Sequence, residues 1–173
     1  MRRILTTLAA TAVLILAGQG AASPAAAATC ATAPSRANCD GQDPMVTGCA
    51  DDAVTIHRAT TYLRNAAGTP LARVELRWSP RCQTNWVRAT ALNSSTRDMQ
   101  VALWRCDTNV AAQCRATGSV DTIADFFPGG RVKAPTVWSA MGHAPDVCAF
   151  GQLWLYFANG VDWKTQITGK ACA

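Results

Sequence analysis

Lysine is scarce in this 173-residue chain: Lys133, Lys164 and Lys170 stand against thirteen arginines. Glutamate is scarcer still, with Glu75 alone against ten aspartates. No stretch after residue 28 stays apolar for the roughly 20 residues a membrane-crossing helix takes, which argues against a transporter and against a membrane span in the mature chain. No dense run of Lys or Arg occurs, and a nucleic-acid stripe needs one. The formal charge of +5 reads instead as solvated surface in an arginine-biased composition. There is no CxxC pair and there are only two histidines, so no metal site is signalled. No GxSxG occurs, and Ser79 is followed by Pro80, which argues against a hydrolase elbow. A glycine-rich phosphate loop is missing too, as is any internal repeat. No cofactor is expected. With 49% hydrophobic and 16% charged residues, the chain is neither disordered nor a coiled coil.

What is present is first an address. Arg2 and Arg3 precede an uncharged, mostly apolar stretch from Ile4 to Ala17, and Ala26-Ala27-Ala28 supplies small residues for cleavage. Thr29 occupies a position where a lipobox wants a smaller residue, so Cys30 is not expected to carry lipid. The expected organisation is a signal peptide over 1–28, a flexible arm over 29–38 and a single secreted β domain over 39–173. The mature chain is then about 145 residues with a side-chain charge of about +3, enough for one real hydrophobic core. The expected location is extracellular.

All eight cysteines follow residue 28, and an even count in a secreted chain reads as a disulfide framework. Loop lengths suggest Cys39–Cys49 and Cys106–Cys114 as short closures. Cys30–Cys172 would then tie the termini, and Cys82–Cys148 would join distant strands.

Strand signals recur along the chain. Arg73 to Trp78 alternates, with Val74, Leu76 and Trp78 on one face and Glu75 and Arg77 on the other. Ser79-Pro80 ends that run, because proline cannot donate to a ladder. Further strands are expected at Val54–Tyr62, Trp86–Leu92, Met99–Trp104, Val132–Trp138, Gln152–Ala158 and Val161–Ile167. Turns are expected at Asn93-Ser94-Ser95, at Phe127-Pro128-Gly129-Gly130 and at Asn159-Gly160. No amphipathic helix stands out. The expected fold is all-β: a small disulfide-stapled sandwich or barrel of about seven or eight short antiparallel strands.

Cys39-Asp40-Gly41-Gln42-Asp43-Pro44, Thr47-Gly48-Cys49-Ala50 and Val74-Glu75-Leu76-Arg77-Trp78-Ser79-Pro80, with Cys82 and Asn85-Trp86, together form a block that resembles the YjfA-like secreted proteins of actinobacteria and bacilli, a domain of unknown function. Val137-Trp138-Ser139-Ala140-Met141 and Cys148 are similar to a second motif of that family. The likeness spans about residues 39–90 and 137–149, and the chain departs from it between Cys106 and Gly130. The resemblance implies a small extracytoplasmic module, sometimes attached to membrane-anchored regulators, that senses or binds. It carries no catalytic residues to transfer.

The residues themselves offer few reactive sets. Six tryptophans are present, and on strands these are usually core. If Leu153, Leu155 and Phe157 face inward, Trp154 and Tyr156 share the opposite face and become the expected ligand-binding pair. Asp40-Gly41-Gln42-Asp43 lacks the spacing of a calcium loop and reads as a turn whose carboxylates cap backbone amides. Asp51-Asp52 reads as solvated. His57 and His143, with Glu75 and Arg77, are the one set with acid–base potential, as in a small ribonuclease. A rigid loop over 106–114 would suit a protease inhibitor. The leading expectation is a non-catalytic binding module at the cell envelope or outside the cell, with cell-wall glycan or peptide as partner.

Overall fold

A computed structural model of the chain describes residues 29–93, 98–114, 123–157 and 163–172. The expected signal at 1–28 and the expected turn residues Ser94, Ser95, Asn159 and Gly160 lie outside them. The architecture is nearly all-β: eleven strands among the described residues, one four-residue helix and one 3-10 turn. In chain order these are α1 (Arg36–Cys39), β1 (Val54–Thr55), η1 (His57–Ala59), β2 (Thr61–Arg64), β3 (Pro70–Ser79), β4 (Thr84–Ala91) and β5 (Asp98–Cys106). There follow β6 (Ile123–Pro128), β7 (Val132–Lys133), β8 (Thr136–Trp138), β9 (Gly142–His143), β10 (Ala149–Tyr156) and β11 (Trp163–Ile167).

Period-two alternation decides what is buried. On β3 Ala72, Val74 and Leu76 are fully buried, on β5 Met99, Val101 and Leu103, and on β10 Leu153 and Leu155. Two antiparallel sheets close over these side chains as a sandwich, not a closed barrel. The first sheet runs β1-β3-β4-β8, with β2 also on β3 and β9 also on β4. The second runs β11-β10-β5-β6, with β7 also on β5. The sheets approach closely at Gly151, where a Cβ would meet a Val87 methyl at 2.5 Å.

Several local expectations are corrected. The run Val54–Tyr62 is three elements, because η1 interrupts it between β1 and β2. The run Val132–Trp138 breaks before Pro135, which has no N–H for the ladder. Its first half, β7, pairs with β5 in the second sheet, and its second half, β8, pairs with β4 in the first. Phe127 and Pro128 belong to β6 instead of a turn. Asn93-Ser94-Ser95 does not join a hairpin, since β4 and β5 lie in different sheets.

The disulfides are Cys30–Cys39, Cys49–Cys82, Cys106–Cys114 and Cys148–Cys172. The expected pairs Cys39–Cys49, Cys82–Cys148 and Cys30–Cys172 are therefore corrected, and the reason is where the sulfurs sit. Cys30, Cys39, Cys49 and Cys82 form one buried cluster with Trp86 and Met141, on the face of β4 opposite Val87. Cys106, Cys114 and Cys148 form another with Phe150 and Cys172, on the outer side of β10. Cys30–Cys172 and Cys82–Cys148 would each have to pass through the core between the sheets, whereas Cys39 and Cys49 share one cluster but bond there to Cys30 and Cys82. Residues 29–38, expected as a flexible arm, hold Cys30 buried and lead into α1, where the Ser35 hydroxyl accepts from the Asn38 amide at 3.2 Å.

No disulfide joins one sheet to the other. Arg105 links them instead. It is the last inward-facing residue of β5, 1% exposed, and its guanidinium donates to Asp40 at 2.8 Å, to the His143 carbonyl at 2.8 Å and to Asp125 at 2.9 Å. It also lies 5.1 Å from the centroid of the Phe127 ring.

Candidate functional site

Because Leu153 and Leu155 point into the core, Trp154 and Tyr156 share the outer face of β10. Both are half-buried. Pairing sets their neighbours: Trp154 lies between Gln100 on β5 and Thr165 on β11, and Gln152 lies between Ala102 and Ile167. Alternation on β5 puts Trp104 on the same face, and pairing with β6 adds Phe126, which is 44% exposed.

Polar contacts fix these groups. The Trp104 Nε1 donates to Gln152 Oε1 at 2.9 Å, and Gln152 Nε2 donates to the Thr165 hydroxyl at 3.0 Å. The Tyr156 hydroxyl donates to Gln100 Oε1 at 3.2 Å. The Arg131 guanidinium lies 3.7 Å from the Tyr156 ring centroid and pairs with Asp98 at 2.7 Å. Trp104 and Phe126 meet at 4.4 Å between centroids. The result is a sheet face with rings at both ends and two carboxamides between them. Among the described residues no strand or helix lies over it. Gln100, Gln152, Trp104 and Phe126 were not singled out from sequence. Alternation along the expected strand Met99–Trp104 would put Gln100 and Trp104 on one face, but it carries no signal that sets them beside Trp154.

The remaining tryptophans divide. Trp86 is core, Trp138 is 39% exposed, and Trp78 lines a cleft; the Trp163 side chain lies outside the described residues. The cleft, about 310 Å³, opens at one end of the sandwich between Ile56, Arg58, Trp78, Asn85, Pro145 and Val147. A smaller hollow of about 270 Å³, beyond the loop that carries Pro145 and Val147, is lined by Ser35, Arg36, His143 and Asp146.

The acid–base set is not assembled around either hollow. His57, exposed on η1, lines neither, and His143 lines only the smaller one. Burial chiefly, and then the charges of Arg105 and Arg36, hold the His143 imidazole below its ordinary pKa against the pull of Asp40. Its Nε2 is buried without a partner. Glu75 lies on the outer face of the first sheet. Burial pushes its carboxyl upward, but Arg88, Arg73 and the Thr55 hydroxyl outweigh that and hold it below the ordinary range. Arg77 donates to the Thr55 hydroxyl and to the Ala53 carbonyl, not to Glu75.

The aspartates of the 40–43 turn are occupied by N–H donors. Asp40 Oδ1 accepts from the His143 amide at 2.7 Å, and Asp43 Oδ1 accepts from the Met45 amide at 2.8 Å. Asp51 is exposed, while Asp52 is engaged. The Ser79 hydroxyl at 2.6 Å and the Arg81 amide at 2.8 Å overcome its burial, and its pKa is lowered. Sulfurs of Cys30, Cys49 and Cys82 come within 4.8 Å of one another, but each is in a disulfide, so they present no thiolate to a metal ion. The 106–114 loop exposes Val110, but the amides of Gln113 and Cys114 both return to the Val110 carbonyl. That tight turn differs from the extended strand that lies in a protease cleft. No helix among the described residues is long and apolar enough to cross a membrane.

A family described as "Protein of unknown function (DUF2690)" matches residues 37–126. The match takes in Cys106–Cys114 and stops before Val137–Met141 and before β10. No curated protein and no solved structure matches the chain.

Proposed function

The chain belongs to the DUF2690 family of proteins of unknown function, and from that premise we propose that it is a secreted, non-catalytic binding module whose ligand face is the outer side of the second sheet. In this reading residues 1–28 are the export signal, residues 29–38 are an N-terminal arm, residues 39–173 form the domain, and the likeness to the YjfA-like secreted proteins covers about residues 39–90 and 137–149. Four disulfides suit an oxidising compartment.

The observation that carries the proposal is the pairing of Trp154 and Tyr156 on β10 with Gln100 and Gln152 beside them. A flat aromatic side chain offers a face to the C–H side of a sugar ring, and a carboxamide both donates to and accepts from its hydroxyls. Cell-wall glycan is therefore the favoured ligand, with a wall peptide as the other candidate.

The test is a fluorescence titration of the oxidised mature protein with soluble, neutral cell-wall glycan fragments. Trp154→Ala is expected to weaken binding at least tenfold, about 1.4 kcal/mol, with the urea midpoint unchanged. Unaltered affinity in Trp154→Ala, or no fluorescence response to any glycan or peptide fraction, would overturn it.

A further inference from the structure

The opposite side of the sandwich carries a second pattern. Register places Tyr62 on β2 opposite Arg73 on β3 and Glu75 opposite Arg88 on β4. Arg88 in turn lies opposite Trp138 on β8. Arg73 and Glu75 are two apart on one strand and share a face. Their strand neighbours Leu63, Val74, Leu76, Val87 and Val137 are buried in the core, so all five point outward. Tyr62, Arg73, Glu75, Arg88 and Trp138 thus form one diagonal band across four strands, about 16 Å long from strand spacing and rise.

Its ends are exposed and its centre is not. Tyr62 is 41% and Trp138 39% exposed, whereas the Glu75 side chain is 6% exposed. Glu75 Oε2 lies 2.9 Å from Arg88 Nε and 3.5 Å from Arg73 Nε. Among the described residues the Arg88 guanidinium bonds only to Glu75, through Nε, and the Arg73 guanidinium makes the ion pair alone, so no terminal nitrogen of either has a partner there. Arg77 adds a third cation beside this carboxylate with no ion pair of its own among the described residues. Burial, and then the nearby Arg88 charge, lower its pKa. Three guanidinium groups therefore face one carboxylate. The aromatic ends are held as well: Trp138 Nε1 donates to Asp43 Oδ1 at 3.2 Å, and Arg64 lies 5.5 Å from the Tyr62 ring centroid.

We propose that this band binds an acidic polysaccharide, with sugar rings on Tyr62 and Trp138 and uronate carboxylates on the outer edges of Arg73 and Arg88. A guanidinium edge matches a carboxylate with two parallel N–H donors, and the buried Glu75 holds the Arg88 guanidinium by a hydrogen bond and attracts that of Arg73 at 3.5 Å before ligand arrives. Two aromatics at the ends with cations between them suit a charged chain of rings. A nucleic acid would call for a continuous basic stripe and a base-stacking platform along it. The band and the Trp154 face lie on opposite sheets, and neither reading depends on the other.

The experiment titrates the oxidised mature protein with polygalacturonate, with the same polymer fully methyl-esterified, and with an oligo-dT strand. The expected result is binding to polygalacturonate that weakens as salt rises, no binding to the neutral ester, and weaker binding to oligo-dT. Arg73→Gln/Arg88→Gln is expected to weaken polygalacturonate binding at least tenfold. Because that variant leaves the buried Glu75 without an ion-pair partner, Arg73→Gln/Glu75→Gln/Arg88→Gln is measured beside it, with the same loss expected and a cooperative urea transition retained. Trp138→Ala should weaken binding without changing its salt dependence. Equal binding to the ester, tighter binding to oligo-dT, or wild-type affinity in the triple variant would each overturn the proposal. None of these outcomes bears on the neutral-glycan titration.

Discussion

Replacing Arg105 with methionine should cost this domain much of its stability. The guanidinium is 1% exposed and satisfied by two carboxylates and a carbonyl drawn from three separate parts of the chain. Methionine fills most of the volume but donates nothing. It leaves Asp40, whose side chain is 22% exposed, with the His143 amide but no cation, and the His143 carbonyl without its Arg105 donor. Removing one partner of a buried ion pair typically costs about 3–5 kcal/mol. Asp125 is 39% exposed, so water compensates it in part and the lower half of that range is expected. Against a typical total of roughly 5–15 kcal/mol, that is a large fraction, and for a domain of this size it corresponds to a fall in Tm of about 10 °C. Arg105→Met/Asp40→Asn/Asp125→Asn removes the stranded charges too and should recover much of the loss. Urea denaturation of the oxidised protein, followed by tryptophan fluorescence, gives both values. A loss under about 1 kcal/mol in the single variant, or a triple variant less stable than the single one, would refute the argument.

Two further outcomes follow from packing and charge. Gly151→Ala should destabilise by about 1–3 kcal/mol through overpacking, because the new methyl meets both Val87 methyls and the Thr168 methyl at 2.5–3.1 Å; an unchanged urea midpoint would count against that closeness. The pH dependence should have two windows. The His143 pKa is lowered in the fold, so its contribution is complete above the unfolded value of about 6.5 and declines as pH falls through that value. Glu75 and Asp52 are also lowered, so their contributions hold above about pH 4 and are lost on further acidification. Urea midpoints from pH 8 to 3 should show both declines, and His143→Gln should remove the upper one. A flat midpoint between pH 7 and 5 in the unaltered protein would contradict the first.

What could be read from the residues was mostly what lies within one strand. Alternation in Arg73–Trp78 and in Gln152–Tyr156 says which side chains share a face, and the buried Val74, Leu76, Leu153 and Leu155 follow that rule. Alternation says nothing about which strand lies alongside. Gln100 and Trp104 therefore could not be placed beside Trp154, nor Trp138 beside Arg88. The strand over Val132–Trp138 was legible as extended chain, but its division between two sheets at Pro135 depends on how far apart those sheets are. Loop length gave Cys106–Cys114, the bond present, but it constrains only closure entropy and carries no information on which side of a sheet a sulfur faces, so Cys30–Cys172 and Cys82–Cys148 failed.

The cysteines pair strictly in the order in which they occur, first with second, third with fourth, and so on to the end. A chain threaded amino terminus first through a translocation pore into an oxidising space presents its thiols one at a time. Under that regime each newly emerged cysteine meets a single unpaired predecessor, and oxidation in order of arrival yields the native connectivity without reshuffling. The Cys82–Cys148 bond that spacing suggested would have required Cys82 to wait while Cys106 and Cys114 passed. In the proposed reading as an exported domain, oxidation in order of arrival needs an oxidant, but not an enzyme that corrects its choices.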